Sequence, residues 1–521
     1  MNSEFAWLSL LLRFGGPIFI WLGAVVLQYE IGQPFLVGLN YAVDITPDDP
    51  WLWIPTAIAI PVCWWLANQL DLIMNTGFKG AAYSRFLRGS AMAQQRRLAK
   101  LTKEPGDMQV TVADVPFPTH LENRNLLIQG AVGTGKSTAL TELMHGVLLR
   151  SKKIQRSEHK DRIAAIDPDG KLMSQFWLPG DKLLNPFDVR GQGWSIFNEI
   201  QNEYDCERYA TSVIPDSPDA ASQRWNEFAR QLLAGGMLKV MQTNPSNPSF
   251  REMHNWLTVA KLEDLAGWLK GTPAEGVFSG PVDAIGSARF IIGHHLKPHF
   301  HLQPGPFSIR DWLADPNAGN LWITWQEDMR EALKPLISTW ADIICTSVLS
   351  LPEDEKRSIW LDLDELGSLD ALPSLEPAAT KGRKRGLRIV GCVQSTSQLA
   401  DNYGREKAQT IRSVFRSLLV LGGARADGQT AKDMSMALGQ HEVNRRRETL
   451  SQSEKGGTGR SSSQNTKPDD IVMPSEIQGL PDLQGYLALA GEFPISRVKL
   501  TPLSLPERVP ALVLRPSVKL S

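Results

Sequence analysis

Gly130-Ala131-Val132-Gly133-Thr134-Gly135-Lys136-Ser137-Thr138 fits the phosphate-cradling pattern G-x-x-x-x-G-K-[ST] at every fixed position. Each residue type answers a need of polyphosphate binding. Gly130, Gly133 and Gly135 let backbone N–H groups turn inward with Thr134 and Thr138 around the phosphates, Lys136 reaches the β and γ oxygens, and the Ser137 hydroxyl can ligand Mg²⁺. The implied ligands are ATP and Mg²⁺. The flanks supply the required order of strand, loop and helix: residues 125–129 read as a buried strand, and 138–149 carry helix formers with apolar Leu140, Leu143, Met144, Val147 and Leu148.

Working outward, strand-like runs recur at 162–166, 320–325, 359–363, 387–393 and 417–421, separated by helical stretches such as 329–351 and 395–403. Several are continuously apolar, as strands covered on both faces are. The alternation predicts an α/β fold with a parallel sheet.

The run Ile359-Trp-Leu-Asp362-Leu-Asp364-Glu365 is an apolar strand ending in two adjacent carboxylates. Asp364 is placed to hold a Mg²⁺-bound water opposite Ser137, and Glu365 to polarise the attacking water. Asp362 shares a strand face with Asp364, so spacing alone leaves it open as a metal ligand. The run 387–394 ends in Gln394, at the edge where α/β sheets gather their ligands, so Gln394 reads as a γ-phosphate sensor; the plainer reading is a helix-start residue before Ser395. Between these runs lies Lys381-Gly-Arg-Lys-Arg-Gly-Leu-Arg388, the densest basic run of the body. It reads as a solvated loop, as a phosphate-binding loop for nucleic acid, or as the source of an arginine sent into a neighbouring subunit's site, with Arg383 as that finger and Lys384 and Arg385 on DNA. Arg445-Arg-Arg447 is a second basic run in a strand-like segment.

With 521 residues, 42% of them hydrophobic and 21% charged, the chain is globular and long enough for about three domains. Its 55 basic and 56 acidic residues nearly cancel, which excludes bulk charge as the means of binding a polyanion and confines any such site to a local patch. Cys63, Cys206, Cys345 and Cys392 lack C-x-x-C spacing, which argues against a disulfide framework and a zinc site.

Trp7, Trp21, Trp51, Trp53, Trp64 and Trp65 crowd the N-terminus like interfacial belts. Residues 1–75 are expected to form a two-helix transmembrane anchor, with spans at 7–27 and 51–70 and a periplasmic loop at 28–50. That loop has no Lys or Arg, whereas Lys79, Arg85, Arg88, Arg96, Arg97, Lys100 and Lys103 follow the second span, so both termini should face the cytoplasm. Residues 76–193 and 302–521 read as the two parts of the nucleotide-binding domain. Between them, 194–301 read as an inserted all-α domain whose best helix, 222–242, carries an aromatic and aliphatic packing stripe from Trp225 to Met241. His294, His295, His299 and His301 lack acidic or Cys partners at useful spacing and are expected on a surface loop rather than at a metal. Residues 451–470 contain no apolar residue and are expected to be a mobile loop.

Together, the two N-terminal spans, GAVGTGKS, IDPDGKL, NPFD, WLDLDELGSL, KGRKRGL, GCVQSTSQL and TAKDMSMALG resemble the type IV coupling proteins of bacterial conjugation, over essentially the full length. The resemblance implies a RecA-like P-loop domain with an all-α domain, anchored in the inner membrane and assembled as a homo-oligomer, a hexamer. It implies an ATPase that links the relaxase–DNA complex and its accessory proteins to a type IV secretion channel and drives single-stranded DNA transfer. It matches Lys136 and Ser137 to Walker A, Asp364 and Glu365 to Walker B, Gln394 to the polar sensor, and Arg383 to the trans arginine, with Arg385 two residues away as the competitor. Some members carry a long acidic C-terminal tail; the residues after Pro506 hold no acidic run, which shifts attention to the all-α domain for cargo. Three other functions use the same motifs: a double-stranded DNA translocase of the chromosome-partitioning type, a secretion ATPase for protein substrates, and a nucleotide-gated docking receptor that does not pump.

Overall fold

The computed structural model describes residues 10–29, 43–44, 47–49, 51, 53–74, 85–106, 109–153, 160–452 and 458–516. They form two units, Met1–Arg88 with Glu442–Asp469, and Gly89–His441 with Asp470–Ser521. In chain order the strands are β1 (Arg85–Gly89), β2 (Met92–Gln94), β3 (Thr111–Val112), β4 (Val115–Pro116), β5 (Leu126–Gln129), β6 (Arg162–Pro168), β7 (Lys182–Leu184) and β8 (Leu321–Trp325). They continue as β9 (Ile359–Leu363), β10 (Leu387–Val393), β11 (Ser417–Leu421), β12 (Gln440–Gln452), β13 (Thr458–Asp470), β14 (Gln484–Ala488) and β15 (Ile495–Lys499).

In the first unit, a π-helical turn at Leu11–Gly15 leads into the helix Gly16–Tyr29, which packs on the helix Trp53–Met74. Gly16 permits close approach, since a Cβ there would lie 2.8 Å from the Cys63 sulfur. Leu22, Val25, Ala59 and Ala67 are buried, while Phe19, Ile58 and Trp65 face outward. The Arg13 guanidinium sits 5.3 Å from the Trp64 ring centre. Among the described residues, no helix is long and apolar enough to cross a membrane. Most of the expected loop 28–50, and Lys79, lie outside the described residues.

The same unit contains a three-stranded sheet in the order β1–β12–β13, with Arg88 paired to Glu442 at 2.7 Å. The expectation of a mobile loop over 451–470 is therefore corrected: Thr458–Asp470 is strand, and residues 453–457 lie outside the described residues. Backbone pairing in such a ribbon needs no apolar side chain, so composition does not register it. Arg445-Arg-Arg447 lies on β12, as its pattern suggested.

The second unit is built on a ten-stranded sheet in the order β2–β15–β14–β11–β5–β10–β9–β6–β8–β7. From β11 to β7 all neighbours are parallel, and β14 and β15 add antiparallel strands at one side, making the sheet mixed. Strands β5, β8 and β9 are buried along their whole length, which is why they read as mostly apolar runs, interrupted only by Gln129, Thr324 and Asp362. Alternate side chains serve two cores. Leu126, Ile128, Trp360, Val390 and Cys392 pack with Ala139, Leu140 and Leu143 of the helix Lys136–Lys153. Leu127, Leu361, Leu363 and Ile389 pack on the other face with the helix Arg330–Val348.

Between β7 and β8 the chain forms the helices Glu203–Val213, Ala220–Thr243, Phe250–Thr258, Leu262–Trp268 and Val282–Leu296. Their buried residues, including Ala229, Leu232 and Leu233, join the same cluster as that second sheet face, so the helical region shares a core with the sheet rather than owning a separate one. The stripe fades at its start, where Trp225 is 37% exposed. The surface-loop expectation for the histidines is met in part: His294 and His301 are exposed, but all four lie in helical or 3₁₀ turns and His299 is buried. His294 and His295 end the helix Val282–Leu296, and His299 is buried in the following 3₁₀ turn, stacked on Phe250 with centroids 5.3 Å apart. Burial pushes His299 down to about 3, keeping it neutral as an aromatic packing residue. No group of three or more metal-ligating side chains occurs among the described residues.

Candidate nucleotide site

The P-loop leaves β5 and wraps the start of the helix Lys136–Lys153, so the helix N-terminus points its N–H groups and positive dipole end into the loop. Gly133 and Gly135 take φ of +80° and +114°, conformations that a side chain strains. At Gly135 a Cβ would also press within 2.9 Å of Leu483 and Leu500, and at Gly130 within 2.6 Å of the Thr134 hydroxyl. The loop is anchored from behind by Ala131 N–H to Gly422 O at 2.8 Å and by Leu483 N–H to Thr134 O at 3.0 Å. Lys136 Nζ donates to the carbonyls of Gly130 at 2.9 Å and Ala131 at 3.1 Å, curling over the loop it serves. Ser137 is exposed and Thr138 half-buried at the first turn of the helix.

The strand order decides what meets this loop. β10 lies between β5 and β9, with Val390 level with both Leu126 and Asp362. The P-loop, Gln394 and the Asp364-Glu365 pair therefore leave three adjacent parallel strands at the same edge, within about 10 Å sideways of one another. The Gln394 amide donates a short hydrogen bond to Glu365 Oε1, which ties the end of β10 to the second carboxylate. Glu365 itself sits at φ +68°, left-handed backbone that costs a non-glycine residue about 1 kcal/mol and turns its side chain out of the strand's alternation.

Burial and then the Glu365 carboxylate push Asp364 up to about 6, opposed by the Lys136 ammonium and by a hydrogen bond with Cys392. Burial lowers Lys136, which these carboxylates partly offset. Asp362 is fully buried, neither of its oxygens has a hydrogen-bond partner among the described residues, and burial holds its carboxyl well above the ordinary range. It is Asp364 that faces the Lys136 charge, which separates the two acids that spacing left equal. A half-buried carboxylate opposite a P-loop lysine, with an exposed serine hydroxyl on the adjoining helix, offers two of the oxygen donors that a hard divalent cation takes.

Two residues that the motifs did not single out belong to this edge. Cys392 lies two residues before Gln394 on the same strand face and meets Asp364; the period of two could have found it. Asp167, near the end of β6 beside β9, accepts from Leu172 N at 3.2 Å and Met173 N at 2.7 Å in the first turn of the helix Lys171–Phe176, and is raised by burial to about 7. Arg383 is not at this edge. It lies in the 3₁₀ turn Gly382–Arg385 before β10, at the opposite end of that seven-residue strand, about 20 Å away. It is exposed and has no ion-pair or side-chain hydrogen-bond partner among the described residues, whereas Arg385 is fastened to the carbonyls of Leu351 at 2.9 Å and Lys381 at 3.2 Å.

Fold and site together define a P-loop nucleotide-binding domain on an α/β sheet. Residues 109–501 match the family described as type IV secretion-system coupling protein DNA-binding domain, and the chain belongs to that family. It is 27% identical over 437 residues to coupling protein TraD of Escherichia coli strain K12, a match covering 80% of this chain and 58% of TraD, so the chain spans little more than half of that relative. Among solved structures it is similar to the conjugative coupling protein TrwBdeltaN70, unbound, at 47% identity and a TM-score of 0.77, covering 84% of this chain and 98% of that one. It is likewise similar to TrwB in complex with ADP and Mg²⁺, at 46% identity and a TM-score of 0.76, covering 84% and 100%. TrwB with the non-hydrolysable ATP analogue ADPNP matches at 45% identity and a TM-score of 0.75, again covering 84% and 100%.

Proposed function

We propose that the chain is an ATP-hydrolysing coupling protein that couples hydrolysis to the passage of single-stranded DNA, from relaxase and its accessory proteins to a type IV secretion channel. The observation that carries this reading is the convergence of Lys136, Asp364, Glu365 and Gln394 at one sheet edge, in a chain whose family is named for coupling and DNA binding. ATP is the nucleotide, held by Gly130, Gly133, Thr134, Gly135, Lys136, Ser137 and Thr138. Mg²⁺, when bound through Ser137 and Asp364, neutralises phosphate charge. Lys136 leaves its loop carbonyls for the β and γ phosphates, Glu365 orients and deprotonates the attacking water, and Gln394 reports the γ-phosphate through its bond to Glu365. Residues 1–75 form an inner-membrane anchor with both termini cytoplasmic, a reading supported by the tryptophan crowding and the positive-charge asymmetry rather than by the length of the helices Gly16–Tyr29 and Trp53–Met74. The subunits close into a ring, a hexamer, in which Arg383 completes the neighbour's site.

The test is hydrolysis by the full chain with single-stranded DNA, duplex DNA and no DNA. Stimulation by single strands that disappears in Lys136→Ala is expected. Equal rates in all three conditions would exclude a DNA motor, and preference for duplex would favour a duplex translocase.

A further inference from the structure

The helix Val282–Leu296 presents Ile285, Ala288, Ile292 and Leu296 inward, which accounts for its place in the core. Its outer face has no such account. Phe290 is 81% exposed there, on a shallow groove of about 650 Å³ lined by Thr258, Gly286, Arg289, Gly293, His294 and Lys297.

The spacing shapes this groove around the ring. Gly286 and Gly293 stand at i−4 and i+3 from Phe290, the positions whose side chains would otherwise flank it, while His294 and Lys297 follow at i+4 and i+7 on the same side. A Cβ on Gly286 would meet nothing within 4 Å, and one on Gly293 only Thr258 at 3.9 Å, so both flanks of the ring are open. Arg289 is fixed beside it, its guanidinium donating to the carbonyls of Leu257 at 3.0 Å and Ala260 at 2.7 Å. The groove has cationic residues and no carboxylate in its lining, in a chain whose overall charge is −1. An isolated exposed phenylalanine is ordinary. One with cleared flanks and a rim of basic residues has the makeup of a base-stacking platform, in which a flat ring takes the base and cations take the flanking phosphates.

We propose that this face is a subsite for single-stranded DNA, with one base stacked on Phe290 and the adjoining phosphates met by Arg289, His294 and Lys297. Duplex DNA is not the fitting ligand, because its base faces are already stacked. The inference rests on the proposed DNA-handling function and names where on the helical region a strand is held.

The experiment measures binding of a fluorescent oligothymidine to the full chain in detergent, as fluorescence anisotropy across a salt series, with duplex of equal length as control. Phe290→Ala should weaken single-strand binding roughly five- to a hundredfold, and Phe290→Trp should retain it. Lys297→Gln should reduce the slope of log affinity against log salt by about 0.7, one phosphate contact. Nucleotide binding should stay unchanged in all three, since none touches the P-loop. If the wild type binds oligothymidine and Phe290→Ala binds it equally well, the subsite is overturned while the DNA-motor reading stands, even if that variant loses a protein partner instead. An equal loss on duplex would also overturn it. A wild type that binds no single strand at all removes both readings.

Discussion

The two aspartates of β9 show how much one residue's surroundings decide. Asp362 and Asp364 have the same chemistry and share a strand face, yet only Asp364 is opposed by a cation and approached by Glu365. Its carboxyl lies near 6 against a usual 3.8, raised by burial and then by Glu365. A carboxyl raised in the folded state costs stability when ionised, and that cost is relieved as pH falls through about 6 toward 3.8. Asp364→Asn should therefore stabilise the nucleotide-free protein at pH 8 by on the order of 3 kcal/mol, seen as a higher thermal midpoint, and the gain should shrink below pH 6. The same substitution should abolish Mg²⁺-dependent hydrolysis, and wild-type hydrolysis should fall below pH 6 as the metal competes with a proton. A scan at both pH values checks the sign; an asparagine that destabilises at pH 8 would mean the carboxylate is stabilised by its surroundings. Glu365→Gln keeps an oxygen that can accept from Gln394, so nucleotide binding should persist while single-turnover hydrolysis drops roughly a hundredfold or more.

At the scale of elements, β9 and β10 run over the residues their apolar patterns mark, and the P-loop helix begins at Lys136 because glycine and serine punctuate its start. Strand β13 was illegible for the converse reason: its residues supply backbone pairing, which leaves no hydrophobic period to read. Nor could spacing locate Asp342, a buried carboxylate within the helix Arg330–Val348. It accepts from the Ser212 hydroxyl at 2.5 Å, from Ser374 N at 2.7 Å and from the Ser374 hydroxyl at 3.0 Å. Ser212 belongs to the helix Glu203–Val213 and Ser374 to the stretch that follows Glu365, so one side chain fastens the helical region to the chain beyond β9. Asn402 grips that stretch again, donating to the carbonyls of Gly367 at 2.9 Å and Leu369 at 2.8 Å. Such contacts join residues more than thirty positions apart, and no local pattern records them. Asp342→Ala strands these buried donors and should cost about 2–4 kcal/mol in urea unfolding, with Asp342→Asn milder because an amide oxygen still accepts. Equal losses in the two variants would show that packing volume, not the acceptor, is what matters.

For the whole molecule, the placement of Arg383 turns a motif match into an argument about assembly. Arg383 and the P-loop lie at opposite ends of β10, about 20 Å apart, so this arginine cannot reach the phosphates of its own subunit. Arg385, two residues on, is tied to Leu351 and Lys381 carbonyls and is not available to reach outward without breaking them. A role for Arg383 in hydrolysis therefore requires a second copy of the chain, and a site made of two copies can be complemented. Arg383→Ala and Lys136→Ala should each be inactive alone, the first by roughly a thousandfold as trans arginines contribute. In a mixed assembly, however, an Arg383→Ala subunit keeps an intact P-loop, and a Lys136→Ala neighbour still offers it Arg383. Mixing the two purified proteins with DNA should restore a fraction of the wild-type rate that rises to a maximum at intermediate ratios. If every ratio stays as inactive as its components, while the two proteins demonstrably co-assemble, Arg383 does not complete a neighbouring site. Arg385→Ala separates the remaining possibility: it keeps both Lys136 and Arg383, so it should hydrolyse ATP unaided at close to the wild-type rate while losing only the contacts that hold the turn, and a loss as deep as that of Arg383→Ala would make Arg385 the trans arginine instead.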